Sequence, residues 1–301
     1  MIEKHIPVLL NECLNGLNIK KDGIYVDLTL GRAGHSQEIL KRLDKGKLIC
    51  FDKDIEAIKE SDLKLKQIAD NYILVKSDFR FIKEELNKLG INKVDGILAD
   101  LGVSSPQLDD IKRGFSYSQN TDLDMRMDLD NPLTAKDIIN NYEESEIARI
   151  LYENGDVKLA KLIAKSICAN RPINTSYELS ELLKQILPAK IVREKNPSKA
   201  VFQALRIAVN DELNAIDEML DQAKDLLNID GVLAVITFHS KEDAKVKNFF
   251  HKLNYTDPKL HKLPIQVTKT WKQKIIFPSD SECESNRRSR SAKLRLITKL
   301  G

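Results

Sequence analysis

The amino-terminal third of the chain alternates short apolar runs with longer amphipathic segments. The apolar runs, which predict strands, are residues 23–29, 47–52, 72–75 and 94–100. The amphipathic segments, which predict helices, are residues 34–43, 54–69 and 80–89. Strands that alternate with helices predict a parallel sheet with helices on both faces. Because crossover connections are right-handed, the expected architecture is a doubly wound α/β fold.

The pattern changes after Pro106, where strand signals stop. Residues 107–132 carry scattered aspartates, and from about 133 to 200 the apolar positions follow helical spacing. One long amphipathic helix is predicted from 199 to 228, and strand patterns then resume at 231–237 and 292–298. The helices therefore look like an insertion into the α/β domain. The predicted domains are residues 1–107 and 201–301, as two parts of one domain, with 108–200 as the inserted helical domain.

Composition and charge narrow the class of protein. The chain has 301 residues, with 48 Lys and Arg against 45 Asp and Glu, so its net charge is only +3. A protein that coats nucleic acid over its whole surface is therefore excluded. The charge is uneven, because residues 241–301 carry 15 basic and 6 acidic side chains. This distribution favours RNA contact at one place.

Two further features concern the compartment. No apolar run approaches the ~20 residues of a membrane helix, and the first residues lack the pattern of a signal peptide. The four cysteines are far apart, with no CxxC pair, so neither a zinc site nor a disulfide framework is predicted. We therefore expect a cytoplasmic protein with reduced thiols, no membrane contact and no metal site.

The turn after the first strand carries the clearest chemical signal. Asp27 ends the strand, and the loop that follows contains Gly31 and Gly34 just before a helix. Glycines at such a place allow close approach to a ligand at the helix amino terminus. The third glycine of the dinucleotide motif G-x-G-x-x-G is missing, which counts against a pyrophosphate. The loop is closer to that of S-adenosylmethionine-dependent methyltransferases.

Polar residues also end the next three strands, where ligands bind in this fold. Asp52 is placed to accept hydrogen bonds from two ribose hydroxyls. After the third strand, Phe79 could flank an adenine ring and Asp78 could accept from its exocyclic amine. Strand four runs into Asp100, Ser104, Ser105 and Pro106. Asp100, Ser104 or a backbone carbonyl there could hold the protons of an exocyclic amine while its nitrogen attacks a methyl group. An ordinary polar turn is the alternative.

Eight segments together make the sequence recognisable. They are 5–10 (HIPVLL), 34–36 (GHS), 95–109 (DGILADLGVSSPQLD), 113–116 (RGFS), 123–128 (LDMRMD), 202–206 (FQALR), 238–240 (FHS) and 289–295 (SRSAKLR). With these segments the chain resembles the RsmH (MraW) family of bacterial 16S rRNA cytosine-N4 methyltransferases. The match is spread over nearly the whole chain, and the segments 95–109 and 123–128 are highly specific together.

The resemblance implies an activity and a set of site residues. It implies methyl transfer from S-adenosyl-L-methionine to the N4 amine of a cytosine in the decoding centre (P site) of 16S rRNA in the small ribosomal subunit. It also implies a class I, Rossmann-like methyltransferase core with an inserted helical domain, as a monomer or a homodimer. The implied cofactor contacts are Ala33, Gly34, His35, Asp52, Phe79, Asp100 and Gln107. The chain departs from the family pattern at Ala33, usually glycine, and at Lys241 and Ala244 in the segment after 238–240.

Other polar residues are candidates for substrate contact, each with a simpler alternative. The candidates are Arg126, Arg206, His239, Arg287, Arg288 and Arg290. His239 either orients substrate, accepts a proton or merely caps a strand end. The arginines near 287–290 suit phosphate contact, and the alternative is a charged edge strand. We interpret the cysteines as structural, which favours amine chemistry because carbon-5 methylation needs a cysteine nucleophile.

Two other functions compete with amine methylation. A nicotinamide-dependent oxidoreductase could use the same fold class, since fold does not fix function. A non-catalytic factor that binds rRNA during subunit assembly could also have kept the fold. For methylation, the target cytosine must leave its stack to reach the methyl group. Its N4 proton could then pass to water or to Asp100.

Overall fold

The structure is a computed structural model, and it describes residues 7–103, 107–108, 110, 113–117, 120–188, 197–255 and 269–301. The strands are β1 (Ile24–Asp27), β2 (Lys47–Asp52), β3 (Tyr72–Lys76), β4 (Val94–Asp100), β5 (Leu227–Thr237), β6 (Trp271–Ile276) and β7 (Lys293–Lys299). The helices of the first hundred residues are α1 (Leu10–Leu17), α2 (Gly34–Leu40), α3 (Ile55–Leu65) and α4 (Ile82–Lys88). The later helices are α5 (Ala135–Asn141), α6 (Glu144–Gly155), α7 (Ala160–Ala169), α8 (Ser176–Ile186), α9 (Pro197–Asn210), α10 (Glu212–Leu226), α11 (Ser240–Leu253) and α12 (Asp280–Ser285).

The chain divides into two compact units. The first combines residues 1–102 with 213–301, and the second is residues 103–212. The sequence places the corresponding boundaries after residues 107 and 200, so the second unit extends further at both ends. Within the described residues, no helix is long and apolar enough to cross a membrane.

The first unit is built on a seven-stranded sheet with the order β3-β2-β1-β4-β5-β7-β6. Neighbouring strands from β3 to β5 are parallel, whereas β7 runs antiparallel to both β5 and β6. This order confirms the predicted doubly wound, mostly parallel sheet. The alternative of a charged edge strand near the carboxyl terminus is wrong, because β7 lies between β5 and β6. The edge strand β6 carries exposed lysines at alternate positions and lacks the apolar run that would have predicted it.

Both faces of the sheet are buried, as the alternation along β2 shows. Leu48 and Cys50 pack on one face with residues of α1 and α2, while Ile49 and Phe51 pack on the other with residues of α4 and α10. The continuous apolar run of β2 is thus explained by two cores rather than one. This sandwich fixes the carboxyl ends of the strands, where the site lies.

The predicted long helix 199–228 is wrong, because it is two helices. Asp211 has a left-handed backbone (φ 48°), which ends α9 before α10 begins. The apolar positions of α9, such as Phe202 and Leu205, belong to the core of the second unit. Those of α10, such as Ile216 and Leu220, belong to the core of the first. A single helical stripe in the sequence therefore serves two separate cores.

The second unit is helical in its described part. Helices α5 to α9 surround a core of their own, and one isolated β-bridge joins Asp122 to Thr175. Two helices begin with reciprocal capping boxes, at Thr134 with Asp137 and at Thr175 with Glu178. These caps satisfy backbone amides that a helix start would otherwise leave unpaired.

Candidate functional site

The turn from β1 into α2 is organised around the buried carboxylate of Asp27. Ser36 Oγ donates to Asp27 Oδ2 at 2.5 Å, and the Thr29 amide donates to Oδ1 at 3.1 Å. Burial raises the pKa of Asp27, and these hydrogen bonds partly offset the rise. Asp27 thus ties the two ends of the loop together and fixes the path of the backbone between them.

The loop backbone adopts conformations that favour glycine. Gly31 has a φ of +48° and Ala33 a φ of +63°, and Ala33 is the residue immediately before α2. A left-handed conformation costs an alanine roughly 1–2 kcal/mol, which explains why the family usually has glycine there. A Cβ on Gly34 would lie 2.5 Å from Cγ of Pro7. At position 33, the alanine adopts the left-handed conformation of the loop at a small cost in strain energy.

Asp52, at the end of β2, is linked to the same loop. Its Oδ2 accepts from the Gly31 amide at 2.8 Å, and its Oδ1 accepts from the Asp54 amide at 2.9 Å. Burial raises the pKa of Asp52 to about 6, despite these two hydrogen bonds. Each carboxylate oxygen can accept a second hydrogen bond. The group can therefore still receive hydroxyls from a ligand.

Phe79 lies just after the third strand, as expected. It begins a short 3-10 helix, Phe79–Phe81, that is capped by Asp78 through the Arg80 amide at 3.0 Å. Lys53 Nζ also lies 3.5 Å from Asp78 Oδ2. The Asp78 carboxylate is thus engaged in capping and ion pairing. The half-buried ring of Phe79 is the better candidate for contact with an adenine.

Among the residues that the structure describes, one carboxylate oxygen of Asp100, the last residue of β4, contacts no hydrogen-bond donor. Its amide donates to Thr29 Oγ1 at 2.7 Å, which joins β4 to the β1 loop. Its Oδ2 lies 3.7 Å from His35 Nδ1, while its Oδ1 is buried without a hydrogen-bond partner in the described part of the chain. A buried, unpaired carboxylate oxygen is costly and points to a ligand that donates to it.

His35 is positioned by the amino-terminal segment. Its Nε2 lies 3.1 Å from the carbonyl oxygen of Val8, so Nε2 is the protonated nitrogen. Burial is the largest cause that raises the pKa of Asp100 well above its usual range, and the charges of Asp27 and Glu242 add to it. Burial and the neighbouring acids therefore favour the neutral form of Asp100 more than in an ordinary aspartate. Within the described residues, neither Asp27 nor Asp100 forms an ion pair with Lys or Arg.

His239 follows β5 and serves as the cap of α11. Its Nδ1 accepts from the Glu242 amide at 3.5 Å, and Glu242 Oε2 accepts from the Phe238 amide at 2.7 Å. His239 Nε2 also lies 2.9 Å from Glu242 Oε1. The capping interpretation of His239 fits this geometry, and its contact with substrate stays a prediction. Sequence reasoning missed Glu242, although the spacing of a cap and a glutamate three residues later signals a capping box.

Five of the predicted cofactor contacts thus come together at one edge of the sheet, and one of them, Ala33, is the last residue of the loop that the others adjoin. Asp52 and Asp100 bind it through Gly31 and Thr29, and Gly34 and His35 begin the helix that follows it. Gln107 is buried in the second unit, and its contact with cofactor stays a prediction. The predicted catalytic residues Ser104, Ser105 and Pro106 lie outside the described residues.

Two predicted RNA contacts are instead bound within the second unit. Arg126 pairs with Asp124 through Nε at 2.9 Å and Nη2 at 2.8 Å, and its Nη1 donates to the carbonyls of Leu129 and Asn131. Four of the five N–H groups of the Arg126 guanidinium therefore donate hydrogen bonds within the protein. Arg206 forms a bidentate pair with Glu212, with both distances 2.8 Å. These arginines organise the fold, and contact with RNA stays a prediction for both.

Asn210 has a structural role in the same unit. It is buried, its Oδ1 accepts from the Met127 amide at 2.8 Å, and its Nδ2 donates to the Met125 carbonyl at 2.8 Å. Arg113 Nη2 donates to the carbonyls of Arg126 and Met127 at 3.0 and 2.9 Å. The side chains of Arg113 and Asn210 therefore hold the segment 123–128 in place through its backbone groups.

The carboxyl-terminal arginines are exposed. Arg287, Arg288 and Arg290 lie in a 3-10 helix, Arg287–Ser291, that leads directly into β7. Arg290 Nε donates to the Cys283 carbonyl at 3.1 Å, which orients that side chain. This placement is compatible with the predicted phosphate contact.

The cysteines provide no nucleophile at the site. All four are free thiols, and Cys13 and Cys50 are fully buried, so that burial raises the pKa of both. A buried thiol with a raised pKa is a poor nucleophile. The described part of the chain also contains no cluster of His, Cys, Asp and Glu that could hold a metal ion.

Comparison with known proteins identifies the family. Residues 2–300 match the model of the MraW methylase family. A protein of Metamycoplasma arthritidis named ribosomal RNA small subunit methyltransferase H is 66% identical over 284 residues, which is 94% of this chain and 99% of the relative. Proteins with the same name are 54% identical in Mycoplasmopsis synoviae, over 100% of this chain and 99% of the relative, and 46% identical in Finegoldia magna, over 99% of both. The chain therefore belongs to the MraW methylase family.

Proposed function

We propose that this protein methylates the N4 amine of a cytosine in 16S rRNA, in the decoding centre of the small ribosomal subunit, with S-adenosylmethionine as the methyl donor. Its family and the names of its relatives support the substrate class. The observation that carries the amine chemistry is the buried, unpartnered Oδ1 of Asp100 at the carboxyl edge of the sheet. It is an acceptor that an exocyclic amine would satisfy.

The residues at this edge fit S-adenosylmethionine. The cofactor, when bound, supplies an electrophilic methyl group on a positively charged sulfur. When ionised, the carboxylates of Asp27 and Asp100 attract the positively charged sulfur, although burial raises the pKa of both groups. Asp52 would accept the ribose hydroxyls, and Phe79 would contact the adenine ring. The backbone of Gly31 and Ala33 lets the loop approach the amino-acid end of the ligand.

The chemical step needs positioning more than a strong base. The N4 nitrogen attacks the methyl carbon in line, the carbon–sulfur bond breaks with its electron pair going to sulfur, and the nitrogen then loses one proton. The Asp100 carboxylate would accept a hydrogen bond from the amine, which turns the nitrogen lone pair toward the methyl group. The proton passes to water or to Asp100, whose raised pKa suits it to receive one.

The affinity for S-adenosylhomocysteine is expected to fall at acidic pH because of Asp52. Its pKa of about 6 lies above the ordinary value for an aspartate, so the group becomes protonated as the pH falls through 6. A protonated carboxyl loses acceptor capacity for the two ribose hydroxyls. The dissociation constant should rise about tenfold between pH 7 and pH 5, as measured by calorimetry. The D52N variant should bind more weakly and show a smaller change over that interval; identical pH profiles for both proteins would contradict this role of Asp52.

Ligand binding also separates the proposal from an oxidoreductase. S-adenosylhomocysteine should stabilise the protein against heat, whereas NAD should not, because the loop lacks the third glycine of a pyrophosphate site. A shift with NAD alone would favour the oxidoreductase. Binding of neither ligand, together with binding to small subunits, would favour a non-catalytic assembly factor. The oligomeric state, monomer or homodimer, stays a prediction of the family resemblance.

Contact of Arg287, Arg288 and Arg290 with rRNA belongs to the same proposal. All three are exposed, and guanidinium groups bind phosphate in a bidentate manner. Reversing their charges to glutamate should weaken binding to small subunits and reduce the slope of affinity against salt concentration. Transfer of labelled methyl groups to unmethylated small subunits, compared with naked 16S rRNA, would identify the form of substrate that the protein prefers.

A further inference from the structure

We infer that Phe277 is a stacking platform for an unpaired base of the RNA substrate, next to the base that is methylated. The inference deepens the proposed function and rests on it. Three observations carry it: the position of Phe277 in the sheet, the exposure of its ring, and the positive charges around it.

The register of the sheet places Phe277 at the same edge as Asp100. Asp100 pairs with Ile236 of β5, Ile236 pairs with Leu294 of β7, and Leu294 pairs with Ile276 of β6. These four residues form one row across the sheet, and Phe277 follows directly after the last of them. Three strand spacings, about 14 Å, separate the two ends of the row. Phe277 is therefore too far away to hold the target base itself and close enough to hold a neighbouring nucleotide.

The ring of Phe277 is exposed and partly fixed. Its fractional exposure is 63%, so most of the ring surface is accessible. Lys293 Nζ lies 5.7 Å from the ring centroid, and Lys293 is held in turn by Asp243 at 2.7 Å. A cation on one side of the ring leaves the rest of its surface accessible. Such a ring offers a base a flat surface at little cost in side-chain entropy.

The charges around Phe277 favour nucleic acid over an apolar protein partner. Lys293 lies against the ring, and the 3-10 helix with Arg287, Arg288 and Arg290 ends two residues before Lys293. An aromatic ring among exposed cations is the arrangement that proteins use for single-stranded nucleic acid, with stacking for bases and cations for phosphates. A cytosine that is flipped out of its stack leaves the adjacent base with one face unstacked. Phe277 would hold that base.

Substitutions at Phe277 test the inference through binding rather than chemistry. F277A should raise both the dissociation constant and the KM for unmethylated small subunits about tenfold, within the range that the loss of one stacked base produces. The kcat at saturating substrate and the affinity for S-adenosylhomocysteine should not change, because Phe277 lies about 14 Å from Asp100, at the far end of the row. F277W should bind at least as well as the natural protein.

F277L is the matched control, because leucine keeps apolar volume and lacks a flat aromatic face. It should behave like F277A if stacking is the cause. Equal binding by F277L and the natural protein would overturn the inference, as would an unchanged KM in F277A. The proposed function fails differently: the natural protein would then transfer no methyl group to small subunits at all. The salt dependence gives a further criterion, since F277A should keep the natural slope that the arginine variants lose.

Discussion

Replacing Asp100 by asparagine is expected to lower the rate of methyl transfer at saturating substrate by about 100-fold or more. The carboxylate can accept hydrogen bonds from an amine through both oxygens, whereas the amide turns an NH2 group toward the same protons. The rate should be measured in single turnovers with labelled cofactor and unmethylated small subunits. In the natural protein the rate should also fall as the pH falls through the raised pKa of Asp100, because only the ionised group is a full acceptor.

The D100N variant should remain folded, which separates chemistry from stability. Burial and the charges of Asp27 and Glu242 oppose ionisation of Asp100, so a neutral amide should leave the unfolding midpoint unchanged or higher. D95N is the matched control, since Asp95 lies near the other end of β4 and accepts from the Ile24 amide at 3.0 Å. D95N should keep the natural rate per folded molecule. A D100N variant with the natural rate would remove Asp100 from the reaction.

Replacing Asp243 by alanine is expected to cost about 3 kcal/mol of unfolding free energy. Arg295 is only 4% exposed, and its Nε and Nη2 donate to Asp243 at 2.7 and 3.1 Å. Without the carboxylate, a buried guanidinium would lose its counter-charge. Urea unfolding monitored by circular dichroism would measure the loss. The double variant D243A/R295M should recover more than half of the lost unfolding free energy, because the unpaired buried guanidinium is then absent as well.

The pH dependence of stability provides a second measure of the same pair. Burial raises the pKa of Asp243, but the hydrogen bonds from Arg295 and Lys293 outweigh it and hold the pKa below the usual range. The stabilising contribution is therefore complete above the unfolded pKa of about 3.9 and is lost as the pH falls through the folded value. D243A should lack this part of the acid transition. If D243A is as stable as the natural protein, the pair contributes nothing and the account of it is wrong.

The first four strands could be predicted from the sequence because each reads as an apolar run. β1, β2 and β4 are largely buried, and the edge strand β3 is partly buried, with side chains packed against both cores of the sheet. The edge strand β6 could not be predicted, since one side of it is exposed and carries Lys272 and Lys274. Nor could the break between α9 and α10 be predicted. Asp211 interrupts a helical pattern that continues on both sides, and only the division between two cores makes the break visible.

The grouping of the acidic residues at the site could be predicted from the sequence, whereas the residues that pair with the arginines could not. The carboxyl ends of parallel strands meet at one edge, so Asp27, Asp52 and Asp100 had to lie near each other. The pair of Arg206 with Glu212 joins residues six apart, which do not share a face in a continuous helix. The pair becomes possible only because the chain turns at Asp211, so tertiary structure decided which arginines remain exposed.

Methylation of the N4 amine of a cytosine in small-subunit rRNA, the proposed activity of this protein, can be measured in its product. The most direct measurement incubates the natural protein with labelled S-adenosylmethionine and small subunits that lack the modification, digests the rRNA to nucleosides and separates them. We predict that the label elutes as an N4-methylated cytidine and that D100N yields little of it. Label on the C5 carbon of cytosine, on adenine, or on no nucleoside would contradict the account.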